Sequence, residues 1–288
     1  MTSFRHIAVL GYGTMGAGIA QVCAQAGQLV TVLETDELRI DGGRRQLAEF
    51  LDGGVTRGKL TDEERMRVLD SVTGTTEIAY LAGVDLVIEA VSENLEVKRN
   101  VLARVAEAVG EDVVIATNTS ALAVTELAAS VPNPGRFAGL HFFNPAPVMK
   151  LVEVVRAVRT DKSTVDTLLE FSERIGKVAV EAKDRPGFLV NRLLMPYLND
   201  VVQAYDDGLA SAEDIDVALE LGLGYPTGPL GLLDLIGLDV HEHATRNAYQ
   251  ATLDPQFAPP PLLSRMVAAG HLGRKSGRGF RVAEGNSE

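Results

Sequence analysis

Short apolar runs alternate with amphipathic stretches along the first two thirds of the chain. Residues 6–10 and 28–34 are apolar and β-branched, and they have the length of buried strands. Residues 14–26, which lie between them, are rich in small side chains and end at Gly27, as is typical of a helix. A strand, a helix and a strand within about 30 residues predict a βαβ unit with parallel strands.

The same alternation continues to about residue 180. Helical patterns cover residues 38–51, 61–70, 95–109 and 163–176, and short apolar runs cover 85–90, 113–117, 137–142, 151–155 and 178–180. The glycine-rich, basic residues 53–59 are expected to form a turn between the first two of these helices. This order of elements predicts an α/β fold with a Rossmann-like, doubly wound sheet.

The pattern changes at Asp184-Arg185-Pro186-Gly187, after which no strand is indicated. A helix is expected from Pro186 to about Tyr205, and Ser211 resembles the N-cap of the next one. Further helices are expected at 231–251 and 261–269, with the three prolines 259–261 as a surface connector. The sequence thus predicts two domains, a Rossmann-like domain over residues 1–185 and an all-helical domain over residues 186–288.

Charge and cysteine content limit the classes of function. The 27 basic and 39 acidic residues give a net charge of −12, which argues against broad nucleic-acid binding. The single cysteine, Cys23, excludes an internal disulfide and favours a reducing compartment. Residues 7–33 carry no charged side chain, but five glycines and three glutamines interrupt them, so a membrane span is not expected. These features indicate a cytoplasmic protein.

The first βαβ unit carries a dinucleotide-binding pattern. The motif Gly11-Tyr12-Gly13-Thr14-Met15-Gly16 follows a strand and opens a helix, and Glu34 ends the next strand 23 residues after Gly11. The glycines permit a tight turn, close approach of the pyrophosphate and close packing of the helix, while the acid accepts hydrogen bonds from the ribose. Because a carboxylate at Glu34 repels a 2′-phosphate, NAD is favoured over NADP. The alternative is an ordinary glycine-rich turn.

Two polar residues on adjacent apolar strands suggest acid–base chemistry. His141 ends one strand, and Glu153 lies inside the next one, where a buried charge needs a partner. A carboxylate on one ring nitrogen would fix the tautomer and leave the other nitrogen as a general base. The alternative is a pair that only ties the strands together.

Two further polar residues are candidates for contact with a ligand. Ser120 follows an apolar strand and is expected at the same sheet edge, where its alternative role is to cap the next helix. Asn191 lies in an apolar helix and needs a hydrogen-bond partner, either on another helix or in a crevice between the domains.

Several ordered motifs span nearly the whole chain: GYGTMGAGIAQ, VIEAVSEN with Lys98, TNTS, GLHFFNPAPVMKLVEVV, DRPGFLVNRLL, GYPTGPLGLLDLIGLD and LGRKSGRGF. In these motifs the chain resembles the L-3-hydroxyacyl-CoA dehydrogenases, especially the short bacterial 3-hydroxybutyryl-CoA dehydrogenases. The resemblance implies reversible, NAD-dependent oxidation of a (3S)-3-hydroxyacyl-CoA, a short-chain substrate and a place in fatty acid metabolism. It also implies a homodimer formed through the helical domain.

The resemblance implies a role for each matching residue. His141 would be the general base and Glu153 its orienting partner, with Ser120 and Asn191 at the reacting end of the substrate. Asn144 would position the nicotinamide, and Glu93, Lys98 and Lys275 would contact the dinucleotide. Arg57 and Lys59 are candidates for the coenzyme A phosphates. The chain departs from the family at Phe50, where a polar residue is expected, and at Arg281, where an aromatic residue is common.

Three alternative functions fit the sequence to different degrees. The same hydride transfer could act on an acyl-carrier-protein substrate of polyketide extender-unit biosynthesis, docked on basic residues such as Arg44 and Arg45. The chain could also be a non-catalytic NAD-binding protein, although the intact set of polar site residues argues against it. A metal site at His241 and His243 is disfavoured because the two side chains point to different faces of a helix, so no metal is expected.

Overall fold

A computed structural model describes residues 4–281 and divides the chain into two units, residues 1–184 and 185–288. Within the described part, the first unit contains one sheet of eight strands: β1 (His6–Leu10), β2 (Leu29–Leu33), β3 (Val72–Thr75), β4 (Leu86–Glu89), β5 (Val114–Thr117), β6 (Phe137–Phe142), β7 (Leu151–Arg156) and β8 (Val178–Lys183). β1 and β4 are almost fully buried, as expected for strands covered on both faces.

The strand order in the sheet is β3-β2-β1-β4-β5-β6-β7-β8. The chain runs outward from β1 to β3 and then returns to β4 on the other side of β1. Right-handed crossovers place the connecting helices on opposite faces, and a crevice opens between β1 and β4 at their carboxyl ends. The prediction of a Rossmann-like, doubly wound sheet is therefore confirmed.

Two features of the sheet were not predicted from the sequence. β3 was missed because its four residues, VTGT, lack an apolar run, and pairing with β2 at the sheet edge provides its hydrogen bonds. The pair β6–β7 is antiparallel, whereas the other neighbouring pairs of the described sheet are parallel. As a result, the N-terminal half of β7 lies beside the C-terminal half of β6.

Six α-helices connect the strands in the described part of the first unit: α1 (Thr14–Gln25), α2 (Glu37–Thr56), α3 (Asp62–Asp70), α4 (Leu95–Val109), α5 (Val124–Ala128) and α6 (Lys162–Arg174). The expected turn at residues 53–59 is wrong at its start, because α2 continues through Gly53 and Gly54. A Cβ on Gly54 would lie 2.7 Å from Leu60 Cδ1, so this glycine allows the chain after α2 to pack closely on the helix.

Five α-helices form the described part of the second unit: α7 (Val190–Asp206), α8 (Ala212–Leu223), α9 (Pro229–Ile236), α10 (Leu238–Thr252) and α11 (Pro261–Ala268). Leucines from three of these helices, Leu198, Leu233 and Leu263, are fully buried in one core. The all-helical class is confirmed, and Ser211 caps α8 by accepting a hydrogen bond from Asp214 N at 3.1 Å. None of the helices within residues 4–281 is long and apolar enough to cross a membrane.

Three details of the second unit correct the sequence-based prediction. α7 begins at Val190 rather than Pro186, because Gly187 and Phe188 adopt positive φ angles of +79° and +49°. The helix expected over 231–251 is broken at Gly237, whose φ of +99° is incompatible with a continuous α-helix. Pro260 is buried at the start of α11, so the proline run is not simply a surface connector.

Candidate active site

The site residues predicted for the first unit lie at or near the carboxyl ends of strands. β1 ends at Leu10, β4 at Glu89, β5 at Thr117 and β6 at Phe142. Parallel strands end at one edge of a sheet, so the segments after them converge beside the crevice between β1 and β4. The structure places these predicted residues at that edge: Gly11, Gly13, Thr14, Met15, Gly16, Glu34, Glu93, Lys98, Ser120, His141 and Asn144.

The turn after β1 depends on glycine at two positions. Gly11 has a φ of +93°, and a Cβ on it would lie 2.9 Å from the carbonyl oxygen of Ala90. A Cβ on Gly16 would overlap the Gly11 carbonyl oxygen, so α1 packs directly against the turn. By contrast, a Cβ on Gly13 would have nothing near it within 4 Å among the described atoms beyond its chain neighbours. This open position at a helix N-terminus allows a phosphate to approach the backbone.

Glu34 is fixed beside this turn. Its Oε1 accepts a hydrogen bond from the backbone N–H of Tyr12 at 2.7 Å, and its Oε2 accepts one from Thr35 N at 2.9 Å. Thr14, in the first turn of α1, accepts a hydrogen bond at Oγ1 from Gln46 of α2 at 3.0 Å. The carboxylate and the glycine turn therefore form one rigid group at the end of β1 and β2.

A buried ion pair lies at the ends of β4 and β5. The ammonium of Lys98, which is 1% exposed, contacts Glu89 Oε1 at 2.6 Å and Glu93 Oε2 at 3.2 Å. Glu89 is fully buried and also accepts hydrogen bonds from Thr117 Oγ1 at 2.6 Å and Val91 N at 2.8 Å. Burial of an ion pair requires such additional hydrogen bonds. Lys98 is therefore a structural link between α4 and two strand ends.

Glu93 joins this pair to the segment after β5. Its Oε1 accepts hydrogen bonds from Thr119 Oγ1 at 2.6 Å, Ser120 N at 2.9 Å and Ala121 N at 3.0 Å. Burial alone would raise the pKa of Glu93, but the Lys98 ammonium and these hydrogen bonds outweigh it, so its pKa lies below the ordinary value. A negative carboxylate thus holds Ser120, which is itself exposed, at the sheet edge.

The alternative role of Ser120 as a helix cap is wrong. α5 begins at Val124, four residues later, and its first backbone N–H groups donate to the Asp184 carboxylate at 3.1 Å from Val124 and 2.7 Å from Thr125. The Ser120 side chain is therefore not used to cap α5.

His141 and Glu153 are direct partners in the antiparallel pair β6–β7. The distance from His141 Nδ1 to Glu153 Oε2 is 2.7 Å, and the residues are 5% and 0% exposed. The Phe143 ring lies 4.6 Å from the imidazole, centre to centre, and the Phe142 backbone N–H donates to Asn118 Oδ1 at 2.9 Å. These contacts fix the end of β6 and hence the direction of the imidazole.

The pair can move a proton. An ionised carboxylate only accepts hydrogen bonds, so it selects the tautomer in which Nδ1 carries the hydrogen. Nε2 is then the basic nitrogen of the neutral ring, and the buried anion stabilises the imidazolium that forms when a proton is taken up. A general base beside a dinucleotide-binding turn is the arrangement expected of a dehydrogenase that oxidises an alcohol.

Comparisons with known proteins identify the family. Residues 6–185 match the model of the 3-hydroxyacyl-CoA dehydrogenase NAD-binding domain, and residues 187–282 match that of the 3-hydroxyacyl-CoA dehydrogenase C-terminal domain. The chain belongs to the 3-hydroxyacyl-CoA dehydrogenase family. Its first unit is the NAD-binding domain of that family, and the chain is an oxidoreductase.

Two curated relatives and one solved structure show how far the similarity extends. The chain is 44% identical over 280 residues to a 3-hydroxybutyryl-CoA dehydrogenase of Mycobacterium tuberculosis, with 96% of this chain and 98% of that one covered. It is 43% identical to the 3-hydroxybutyryl-CoA dehydrogenase of Clostridioides difficile, with coverages of 95% and 98%. The crystal structure of (S)-3-hydroxybutyryl-CoA dehydrogenase from Ralstonia eutropha matches with a TM-score of 0.93 at 41% identity, with coverages of 97% and 99%.

In this dehydrogenase the two residues proposed for coenzyme A line one cleft. The cleft has a volume of about 580 Å³ and lies between α1, α2 and residues 145–148, with Arg57, Lys59 and Phe50 in its wall. A Cβ on Gly53 would lie 3.2 Å from Arg57 Nη1, so this glycine allows the guanidinium to fold back over α2. Gln21 also lines the cleft. It is 4% exposed, and its Oε1 has no hydrogen-bond partner among the described residues.

Asn191 and Lys275 belong to the second unit. Asn191 is half-buried in the first turn of α7. Lys275 lies in a short 3₁₀ helix, Arg274–Ser276, and its ammonium pairs with Asp239 at 2.5 Å and 2.7 Å to the two carboxylate oxygens. Their functional roles stay predictions.

The structure also gives a partner to Arg281, where the resemblance implies an aromatic residue. Its Nη1 donates to Asp216 Oδ2 at 3.1 Å. Asp216 is 1% exposed and also accepts hydrogen bonds from Leu230 N and Gly231 N at the start of α9. The guanidinium thus adds a charged partner to a buried carboxylate that caps a helix.

Residues 4–281 contain no group of three or more histidine, cysteine, aspartate or glutamate side chains that could hold a metal ion. His241 is buried in α10 and His243 is exposed on the same helix.

Sequence reasoning missed Glu89, the centre of the buried ion pair. The signal was present, because DLVIEA places a carboxylate among apolar strand residues, as LVEVV does with Glu153. Its partner, Lys98, lies nine residues later on a helix, where a lysine is ordinarily exposed. Nothing in the local sequence indicates that this lysine turns inward.

Proposed function

We propose that this enzyme oxidises a (3S)-3-hydroxyacyl-CoA to the 3-oxoacyl-CoA with reduction of NAD, and catalyses the reverse reaction. The substrate class is short-chain, with 3-hydroxybutyryl-CoA as its representative, since the similar curated bacterial proteins carry that name. The observation that carries the proposal is the buried 2.7 Å contact between His141 and Glu153 at the sheet edge where the glycine turn opens.

In the oxidation, the substrate hydroxyl donates its proton to His141 Nε2. Glu153 stabilises the positive charge that this transfer places on the ring. When bound, NAD supplies the hydride acceptor for C3 of the substrate. Loss of the proton from oxygen and of the hydride from carbon leaves a 3-oxo group, so the products are the 3-oxoacyl thioester, NADH and one proton.

Three other residues complete the reacting region. We assign Ser120 and Asn191 to contacts with the 3-hydroxyl and the thioester of the substrate, and Asn144 to the orientation of the nicotinamide. Ser120 is supported by its exposure at the end of β5 and by the hydrogen bonds that hold its backbone and side chain to Glu93. Asn144 is supported by its exposed position three residues after His141.

The residues of the first unit fit a dinucleotide. The open position at Gly13, with Thr14 and Met15 at the N-terminus of α1, suits the pyrophosphate, and Glu34 suits the ribose hydroxyls. Glu93 and Lys98 stand at the adjacent strand ends and would border the nicotinamide side. We also assign Lys275 to dinucleotide contact.

The cleft beside α2 is assigned to the coenzyme A part of the substrate. Arg57 and Lys59 supply positive charge for phosphate groups in a protein of net charge −12. Phe50 offers an apolar face in the same wall.

We further infer a cytoplasmic homodimer that acts in fatty acid metabolism. The reducing compartment is supported by Cys23, which is unpaired and buried. Residues 186–288 are assigned to substrate binding and dimer formation. Their surface carries exposed leucines, among them Leu221 at 83% and Leu235 at 57%, whereas Leu230 and Leu233 are core residues.

The test is NADH formation from NAD with (S)-3-hydroxybutyryl-CoA, beside the same acyl group on an acyl carrier protein and beside NADP as cofactor. Robust activity with the CoA ester and NAD is expected, with weaker activity in the other two arms. Activity on the carrier-bound group alone would refute the CoA assignment. An absence of activity with both substrates would refute the proposed reaction.

A further inference from the structure

One short segment joins the strand that carries His141 to the strand that carries Glu153. This connecting segment, residues 144–150, begins with Asn144 and turns through Pro145, whose carbonyl oxygen accepts hydrogen bonds from Val148 N and Met149 N at 3.0 Å each. It runs along the catalytic edge of the sheet, because β6 ends there and β7 begins there. A displacement of the segment would therefore move Asn144 and the end of β6 together.

A buried lysine is hydrogen-bonded to this segment. Lys177 directly precedes β8 and is 8% exposed, and its ammonium donates hydrogen bonds to the carbonyl oxygens of Ala146 at 2.6 Å and Met149 at 2.8 Å. Within residues 4–281 it forms no ion pair with a carboxylate. A buried ammonium needs hydrogen bonds to offset its desolvation, and here both come from the connecting segment.

The electrostatics agree with this geometry. Desolvation lowers the pKa of Lys177. Only the thiolate form of nearby Cys23 would oppose that shift, and burial raises the pKa of this thiol to about 12. The thiol is neutral at physiological pH and supplies no counter-charge. The carbonyl dipoles of the segment are therefore what stabilises the ammonium, and the ammonium in turn fixes the carbonyls.

The dinucleotide-binding helix also packs against the segment. A Cβ on Gly18 of α1 would lie 3.1 Å from Pro147 Cδ and 3.2 Å from Ala146 Cβ, which is tighter than ordinary van der Waals contact. The segment thus packs closely on Gly18 of α1 and is hydrogen-bonded to the ammonium of Lys177. Because α1 also carries the glycine turn at its N-terminus, the segment and the dinucleotide site share one support.

We propose that Lys177 is a positioning residue of the dehydrogenase, which holds residues 144–150 against α1 so that Asn144 and the end of β6 keep their place at the nicotinamide. This inference rests on the proposed function. It differs from a purely structural role, because loss of the ammonium is expected to affect the chemical step more than the stability of the sheet or the binding of substrate.

The experiment compares Lys177→Met with Lys177→Arg and with Lys150→Met, an exposed lysine of the same segment. Lys177→Met is expected to lower kcat about tenfold or more, because small displacements of positioning groups slow the chemistry, while KM for the acyl-CoA changes about twofold. Lys177→Arg should recover part of the loss, and Lys150→Met should behave as the wild type. Hydrogen exchange at Val148 and Met149 should quicken only in Lys177→Met.

Two results would overturn the proposal. One is an unchanged kcat in Lys177→Met. The other is a loss of activity that only parallels a lower fraction of folded enzyme, with hydrogen exchange raised across the whole sheet rather than in residues 146–149. Gly18→Ala provides a second route, since its methyl group presses on the segment from α1. It should lower kcat without removing any charge, and full activity in this variant would also contradict the proposal.

Failure of the proposed function gives a different result. In that case the wild-type enzyme does not oxidise the substrate at all. The role of Lys177 is then decided by hydrogen exchange in the segment and by the affinity for NADH, measured from its fluorescence. Unchanged exchange and unchanged affinity in Lys177→Met would refute the role.

Discussion

Two of the five histidines of this chain are buried, one in each unit, and they differ in their partners. His141 is 5% exposed, and its Nδ1 lies 2.7 Å from a carboxylate oxygen of Glu153. His241 is 4% exposed, and its Nε2 lies 3.0 Å from the amide oxygen of Asn199. The Asn199 amide is oriented by its Nδ2, which donates to Thr245 Oγ1 at 2.8 Å.

The partner decides what each ring can do. Burial lowers the pKa of His241 to about 4, because a neutral amide does not compensate a buried positive charge. The carboxylate beside His141 does provide such compensation. A buried histidine is therefore not by itself a sign of chemistry, and the charge of the group that it faces separates a core residue from a proton acceptor.

The largest expected effect removes the proton acceptor. His141→Gln should lower kcat by about 10²–10⁴, the usual contribution of general acid–base catalysis. The measurement is the initial rate of NADH formation, with the thermal midpoint and NADH affinity checked for integrity of the fold. His241→Gln is the matched variant and should keep its rate per folded molecule. Equal losses in both variants would show that the difference in partner is irrelevant to catalysis.

The next effect concerns His241, whose partner is neutral, and the dependence of the free energy of unfolding on pH. The pKa of this histidine is about 4 in the folded chain against 6.5 when unperturbed, so the unfolded state binds more protons between these values. Stability is therefore lost as pH falls from 6.5 towards 4, by about 3 kcal/mol, at 1.36 kcal/mol for each pKa unit.

Denaturant unfolding followed by circular dichroism across this pH range measures the loss. His241→Gln should remove most of this acid dependence, whereas His243→Gln, on the exposed face of the same helix, should retain it. An acid dependence that persists in full in His241→Gln would contradict the assignment.

A smaller effect is expected when the carboxylate partner of His141 is replaced by an amide, the kind of partner that His241 has. Glu153→Gln gives His141 an amide partner, as His241 has, and should lower kcat by about 10–10² because the imidazolium loses its counter-charge while the ring stays in place. The rate is measured beside Glu181→Gln, a half-exposed glutamate of the neighbouring strand β8. A rate within twofold of the wild type would mean that the anion does not assist proton transfer.

The smallest expected effect concerns a single buried hydroxyl group. Tyr12 is 2% exposed, its hydroxyl has no hydrogen-bond partner among the described residues, and burial raises its pKa to about 12. Tyr12→Phe should raise the free energy of unfolding by about 1 kcal/mol, because an unsatisfied buried hydroxyl is destabilising. Tyr80→Phe, at a residue that is 69% exposed, should leave it unchanged. A destabilised Tyr12→Phe variant would reveal a partner for the hydroxyl.

Local pattern was sufficient for much of the architecture. The βαβ unit with its glycine turn, the acid at Glu34 and the helical second unit follow from apolar periodicity and from glycine, serine and proline positions, which act within a few residues of the chain. The pair of His141 and Glu153 was also predictable, because a carboxylate amid valines needs a nearby partner and the preceding strand ends in a histidine.

Long-range contacts decided the remainder. Such contacts join residues that are distant in sequence or carry no local signal. They include the ion pair of Lys98 with Glu89, the hydrogen bonds of Lys177 to the segment after β6, the hydrogen bond of Arg281 to Asp216 and the pairing of β3 with β2. In the second unit, one expected helix became two at Gly237, and α7 began late because of positive φ angles at Gly187 and Phe188. The sequence by itself determined most of the strands and helices and the chemistry that they carry. Only the tertiary structure decided which buried charges face each other, because burial creates the need for a partner and packing determines which partner is within reach.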